Sequence, residues 1–196
     1  MRCLLVDGSG HTGGHTDAMC SAAVSFLKSK GWEADVVRLP TDGTMLHAYE
    51  GCSPIEDDFL TPVLGEIGSY DLMILASPIF FSGPSSMMKT FIDRMNPFWN
   101  SGKPYPKKVC AMLCGGAEEP KFSNAESEMK AMAKGCGAEW AGVLEICGTD
   151  SKDPAESSSK VPEFLEYVIR AFRAPVHVFS GGRKPALVPR TAQDAT

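Results

Sequence analysis

The sequence predicts an α/β fold, a doubly wound five-stranded parallel sheet with helices on both faces. Three observations predict it. Short apolar runs recur five times, each closed by Gly, Pro or Asp or passing straight into a polar turn. Between them lie longer segments whose apolar residues repeat at helical spacing. The barest runs, residues 3–6, 72–76 and 109–114, carry no polar alternation, as strands covered on both faces do. In such a sheet ligands bind beyond the carboxyl ends of the strands, at the point where strand order reverses. The loops after the first, third and fourth strands therefore matter most.

Each element has its own signal. Residues 3–6 form the first strand, stopped by Asp7-Gly8-Ser9-Gly10, and Met19, Ala22, Ala23, Phe26 and Leu27 mark the first helix, closed at Lys30-Gly31. Residues 34–39 form a second, less apolar strand, and 40–54 read as a loop. Phe59, Leu60, Val63, Leu64 and Ile67 give a helix before Gly68. Residues 72–76 form the third strand, halted at Ser77-Pro78, and Met87, Met88, Phe91, Ile92 and Met95 the third helix, ended by Asn96-Pro97. Residues 109–114 form the fourth strand before Gly115-Gly116. Met129, Met132, Ala133 and Cys136 mark the fourth helix, and 142–146 the fifth strand. Val161, Phe164, Leu165, Val168, Ile169 and Phe172 mark the last helix. With no internal repeat, residues 1–174 read as one domain. Residues 175–196 read as a tail, either disordered or an arm on a partner subunit.

Composition narrows the function classes. With 196 residues, 43% hydrophobic, and a net charge of −5, the bulk of the chain is expected to be folded. Scattered Lys and Arg on a mildly acidic chain argue against a nucleic-acid partner, and no apolar run reaches the length of a membrane span. Asp7 arrives before a secretory apolar region forms, and the seven cysteines are odd in number without a CxxC pair. These are the marks of reduced thiols in a cytoplasmic protein that does not enter a membrane.

The first loop, residues 7–16, joins a strand to a helix with four glycines and several hydroxyls, the composition of an anion cradle. Two frames fit it. Gly8-x-Gly10-x-x-Gly13 matches the dinucleotide fingerprint, with Arg38 near the end of strand two where it suits a 2′-phosphate. Ser9-x-His11-x-x-Gly14-His15-Thr16 resembles the S-x-R-x-x-G-N-T loop of the flavodoxin-like NAD(P)H-dependent FMN reductases and iron–sulfur flavoproteins. That resemblance implies that Ser9, His11, Gly14, His15 and Thr16 hold the FMN phosphate, with His11 replacing Arg and His15 replacing Asn. A neutral His lacks the fixed charge and fork of Arg. His11 and His15 also stand four apart, but His11 precedes the helix and no carboxylate motif accompanies them, so no metal site is expected.

The second loop decides between the frames. Residues 77–94, from Ser77-Pro78-Ile79-Phe80-Phe81 through Ser85 to Met88-Lys89-Thr90-Phe91-Ile92-Asp93-Arg94, are similar to the family segment S-P-[VI]-[YF]-[FW]-x-x-x-S-x-x-[ML]-K-x-[FW]-[IL]-D-R. The resemblance implies that Pro78, Ile79, Phe80, Phe81, Ser82 and Gly83 wrap one edge of the isoalloxazine. The third loop agrees: Cys114-Gly115-Gly116-Ala117 resembles the family's T-G-G turn, with Gly115 and Gly116 beside the flavin. The resemblance runs from Arg2 to about Phe172 and implies the flavodoxin-like strand order 2-1-3-4-5.

One departure stands out. Iron–sulfur flavoproteins carry several close cysteines before a [PV]-I-x-D-D-[FM] run, whereas Pro54-Ile55-Glu56-Asp57-Asp58-Phe59 follows Cys52 alone, with His47 and Ser53 nearby. One thiolate cannot hold a cubane, so a cluster-free member is expected. The resemblance implies an FMN oxidoreductase that takes a hydride from NAD(P)H and reduces a flavin, quinone or similar small-molecule acceptor, with no protein acid or base named as catalytic. A flavodoxin-type carrier without NAD(P)H turnover, or a cofactor-free regulatory module, is the alternative. A homodimer or tetramer is expected. Related reductases close their flavin face with a neighbouring subunit, and Phe98, Trp99 and Tyr105 concentrate aromatics in one connection, with Val176, Val178 and Phe179 as an extension of the contact.

Overall fold

The computed structural model describes residues 1–41, 49, 51, 58–170 and 172. Cys52, His47 and Ser53 lie outside them, as does the tail with Val176, Val178 and Phe179. In chain order the elements are β1 (Arg2–Asp7), α1 (His15–Ser29), β2 (Glu33–Arg38), α2 (Thr61–Glu66), β3 (Leu72–Phe80), β4 (Gly83–Pro84), α3 (Ser86–Asp93), β5 (Lys108–Cys114), α4 (Ser123–Gly135), β6 (Glu139–Ile146), α5 (Pro154–Ser158) and α6 (Val161–Arg170). The long strands are parallel in the order β2-β1-β3-β5-β6, and the two-residue β4 folds back antiparallel on the end of β3. With β4 set aside, this is the doubly wound 2-1-3-4-5 order expected from the sequence.

The bare apolar strands are explained by their two faces. Leu4, Val6, Met73, Leu75, Val109, Ala111 and Leu113 point into a core built with α3 and α4, while Cys3, Leu5, Leu72, Ile74, Cys110 and Met112 point into one built with α1 and α6. Successive side chains alternate between the faces, and both faces are covered, so the middle of each strand is apolar throughout and the polar residues Asp7, Ser77 and Lys108 fall toward the strand ends. The sheet's outer strand β2 has only half-buried or exposed residues, which is why its sequence is less apolar.

Several elements differ from the expectation, among them the short β4 and the start of β6 at Glu139 rather than at 142. β3 runs through Ser77-Pro78 to Phe80 because Pro78 takes the sheet position opposite Cys114 and its missing N–H is tolerated near the strand's end. The second helix is only Thr61–Glu66, continued by a 3₁₀ turn over Ile67–Ser69. The helix α5 was not foreseen, although Asp153 and Glu156 form a capping box around Pro154 at its start.

Candidate functional site

Strand order reverses between β1 and β3, and the three loops singled out by sequence converge there. Gly8 N donates to Ala76 O at 2.8 Å, tying the first loop to β3, and Pro78 lies opposite Cys114, placing the ends of β3 and β5 side by side.

The first loop opens a helix without a side-chain cap. The residue before α1 is Gly14, so the free N–H groups of the first turn are left for a ligand. Gly13 has φ of +76°, and a Cβ at Gly13 or Gly14 would meet nothing within 4 Å, so this side of the loop is open. Such an opening at a helix start fits a phosphate. Ser9 is buried beneath it, its Oγ accepting from His11 N at 3.3 Å, so its hydroxyl shapes the loop. Thr16 is buried too, with Oγ1 3.3 Å from Cys114 Sγ across the floor of the site. His15 Nδ1 is 2.8 Å from the hydroxyl of Ser157, a buried residue of α5, and His11 is exposed.

Arg38 has a different place from the one its sequence position gave it. Its Nε donates to Asp7 Oδ2 at 3.1 Å and its Nη2 pairs with Asp17 Oδ1, so the guanidinium is committed to two carboxylates rather than to a 2′-phosphate. Asp7 is fully buried, which pushes its carboxyl up from the usual range against the opposing pull of the Ser9 N–H and Arg38.

The second loop is a two-residue hairpin between β3 and β4. Phe81 and Ser82 occupy its centre with φ of +51° and +67°, the mirror-image turn that suits the strand twist but strains a side chain with a Cβ. Phe81 is fully exposed and Phe80 is 59% exposed. Strain and exposed aromatic area together mark a surface kept for a ligand or partner. The base of the hairpin is rigid: Ser85 N donates to Ser77 Oγ at 3.0 Å, and Ser85 Oγ accepts from Met88 N at 3.1 Å while donating to Gly8 O at 2.6 Å. One hydroxyl therefore caps α3 and locks the first loop to the second. Gly8 has to be glycine, since a Cβ would sit 2.9 Å from Met88 Cβ.

In the third loop, the room a Cβ would take at Gly115 is filled by Pro120 and that at Gly116 by the Asp150 carboxylate. Thr149 N bonds Gly115 O and Gly148 N bonds Ala117 O, so these glycines answer first to the packing of their own loop against the turn after β6. Phe98 and Tyr105 pack against each other and the core, while Trp99 remains 54% exposed above Gly135. Two partnerships escaped the sequence reading. Ser157 was missed although the capping box gave a signal for its helix, and Arg94, the end of the second-loop motif, forms a buried bidentate pair with Asp58.

Comparison with known proteins agrees with this geometry. The sequence model of the NADPH-dependent FMN reductase family matches residues 1–139. The chain is 29% identical over 103 residues to an iron-sulfur flavoprotein of Methanocaldococcus jannaschii, covering 50% of this chain and 53% of that one. It is 29% identical over 93 residues to an NAD(P)H dehydrogenase (quinone) of Cupriavidus metallidurans, covering 46% of each. The chain thus spans about half the length of the curated relatives it matches. Its fold matches a flavodoxin of Streptococcus pneumoniae with TM-score 0.60 at 16% identity, over 87% of this chain and 99% of that one.

Proposed function

The chain belongs to the NADPH-dependent FMN reductase family, and from that membership we propose that it binds FMN where the β1 and β3 loops meet and uses NAD(P)H to reduce a free flavin, a quinone or a similar small-molecule acceptor. The observation that carries this reading is the open, uncapped start of α1, set beside the strained aromatic hairpin at the strand-order reversal. Ser9, His11, Gly14, His15 and Thr16 hold the phosphate, with backbone N–H groups as the main donors. Pro78, Ile79, Phe80, Phe81, Ser82 and Gly83 line one edge of the ring, and Gly115 and Gly116 flank it with backbone alone. When bound, FMN supplies the electron relay between nicotinamide and acceptor. The protein's part is to orient the ring and leave an approach over the Phe80–Phe81 hairpin, while the buried Thr16–Cys114 contact ties the first loop to the end of β5. Purified protein given FMN should oxidise NADPH or NADH with added riboflavin or a soluble quinone. FMN binding without nucleotide oxidation would mark an electron carrier and overturn the reductase assignment.

The same reading includes a homodimer or larger assembly in the cytoplasm. Half-exposed Trp99 and fully exposed Phe81 support the assembly. The six cysteines among the described residues, all free and five of them buried, support a reducing compartment. Among these residues no helix is long and apolar enough to cross a membrane. Light scattering at low micromolar concentration should show a dimer or larger, and Trp99→Ala should weaken assembly and nucleotide oxidation together. A monomer with full activity would contradict the shared site.

A further inference from the structure

We propose that Asp17 and Arg38 are positioning residues that hold the first loop in its phosphate-binding shape, an inference that rests on placing the FMN phosphate at that loop. Two carboxylates bracket the loop, Asp7 at the end of β1 and Asp17 in the first turn of α1. Each spends one oxygen on the loop and the other on Arg38. Asp7 Oδ1 accepts from Ser9 N at 2.9 Å, and Asp17 Oδ2 accepts from Gly13 N at 2.7 Å. Arg38, the last residue of β2, takes Asp7 Oδ2 through Nε and Asp17 Oδ1 through Nη2. The planar guanidinium fixes how both carboxylates are turned, and they in turn fix the amides at the two ends of the loop.

The loop needs this support because Gly8, Gly10, Gly13 and Gly14 give it little stiffness of its own. Ordering such a segment on binding would be charged against affinity, whereas a loop already ordered binds without that loss. The Arg38 side chain is 44% exposed but its partner Asp7 is fully buried, so Arg38→Met costs some stability as well, and riboflavin affinity separates that general effect from a loss at the phosphate.

Charge and position predict opposite results for Asp17→Ala. Removing a carboxylate next to a phosphate dianion would tighten FMN if charge alone mattered. Loss of the Gly13 anchor would weaken it. The test titrates flavin-free protein with FMN and with riboflavin, which lacks the phosphate, following quenching of flavin fluorescence. The ratio of the two affinities isolates the phosphate contribution, and a general disturbance of the fold would move both ligands together. Asp17→Ala and Arg38→Met should each lower the ratio by about three- to tenfold, the scale of a lost helix-start hydrogen bond, with riboflavin affinity nearly unchanged. The two variants change the charge in opposite senses, so a shared direction is the signature of positioning. A ratio unchanged or raised in Asp17→Ala would overturn the inference and leave the FMN assignment standing. Equal affinity of the parent protein for the two flavins would overturn the placement of the phosphate itself, and this inference with it.

Discussion

Replacing Arg94 with Met should lower the unfolding free energy by about 3–5 kcal/mol, the cost of leaving a buried charge without its partner. Arg94 is 3% exposed and Asp58 8%, and the guanidinium meets both carboxylate oxygens, with Nη2 3.1 Å from Oδ1. Asp58 Oδ1 also accepts from Leu60 N at 3.0 Å and Thr61 N at 3.1 Å, so the same carboxylate organises the start of α2. Denaturant unfolding should show a lower midpoint with the slope preserved. Asp58→Asn should cost a comparable amount, and the double variant less than the sum, because no charge is then stranded. The exposed Lys89–Asp93 pair one turn away supplies the control: Lys89→Ala should change stability by no more than about 0.5 kcal/mol. A loss below about 1 kcal/mol in Arg94→Met would show that the pair is not the structural tie between the second-loop motif and the Asp58 segment.

Thr16→Val should weaken FMN at least tenfold, in line with about 1.5–3 kcal/mol for one charge-assisted hydrogen bond to a buried phosphate. Thr16 lies in the first turn of α1, 2% exposed, with Cys114 Sγ as its recorded partner. Either of Oγ1 and Sγ can be the donor, and with the thiol donating the Thr16 hydroxyl proton is free for a phosphate oxygen. Valine keeps the volume and removes both roles. Cys114→Ser keeps a small donor beside Thr16 and should bind FMN about as well as the parent. Titration of flavin-free protein reads both variants, and an unchanged dissociation constant in Thr16→Val means that the phosphate is held in a different frame of the loop.

Much of the fold was legible because burial on both faces leaves a direct mark. The unbroken apolar runs at 3–6, 72–76 and 109–114 exist only because α1 and α6 cover one side of the sheet and α3 and α4 the other. The three candidate loops stand out in the sequence as motifs, the first as a glycine run between strand and helix. What periodicity cannot encode is which distant side chain a polar residue chooses. Arg38 could have met a ligand phosphate, and only the folded chain shows it spanning Asp7 and Asp17. Arg94 reads as the last letter of a binding motif, yet it serves the core through Asp58, 36 residues away. Nor does the sequence show that Pro120 and Asp150 fill the space beside Gly115 and Gly116. The continuation of β3 beyond Ser77-Pro78 was hidden for a related reason: a proline stops a strand only where its N–H is needed.

The proposed activity is the binding of FMN and its reduction by a nicotinamide nucleotide. It is tested most directly by loading the purified protein, releasing and identifying its flavin, and following the visible absorption of the loaded protein under argon as NADPH and then NADH are added. The expected result is FMN in a stoichiometric amount and loss of the oxidised flavin spectrum with at least one nucleotide. Recovery of FAD, failure to retain any flavin after loading, or a bound flavin that stays oxidised with both nucleotides would contradict it.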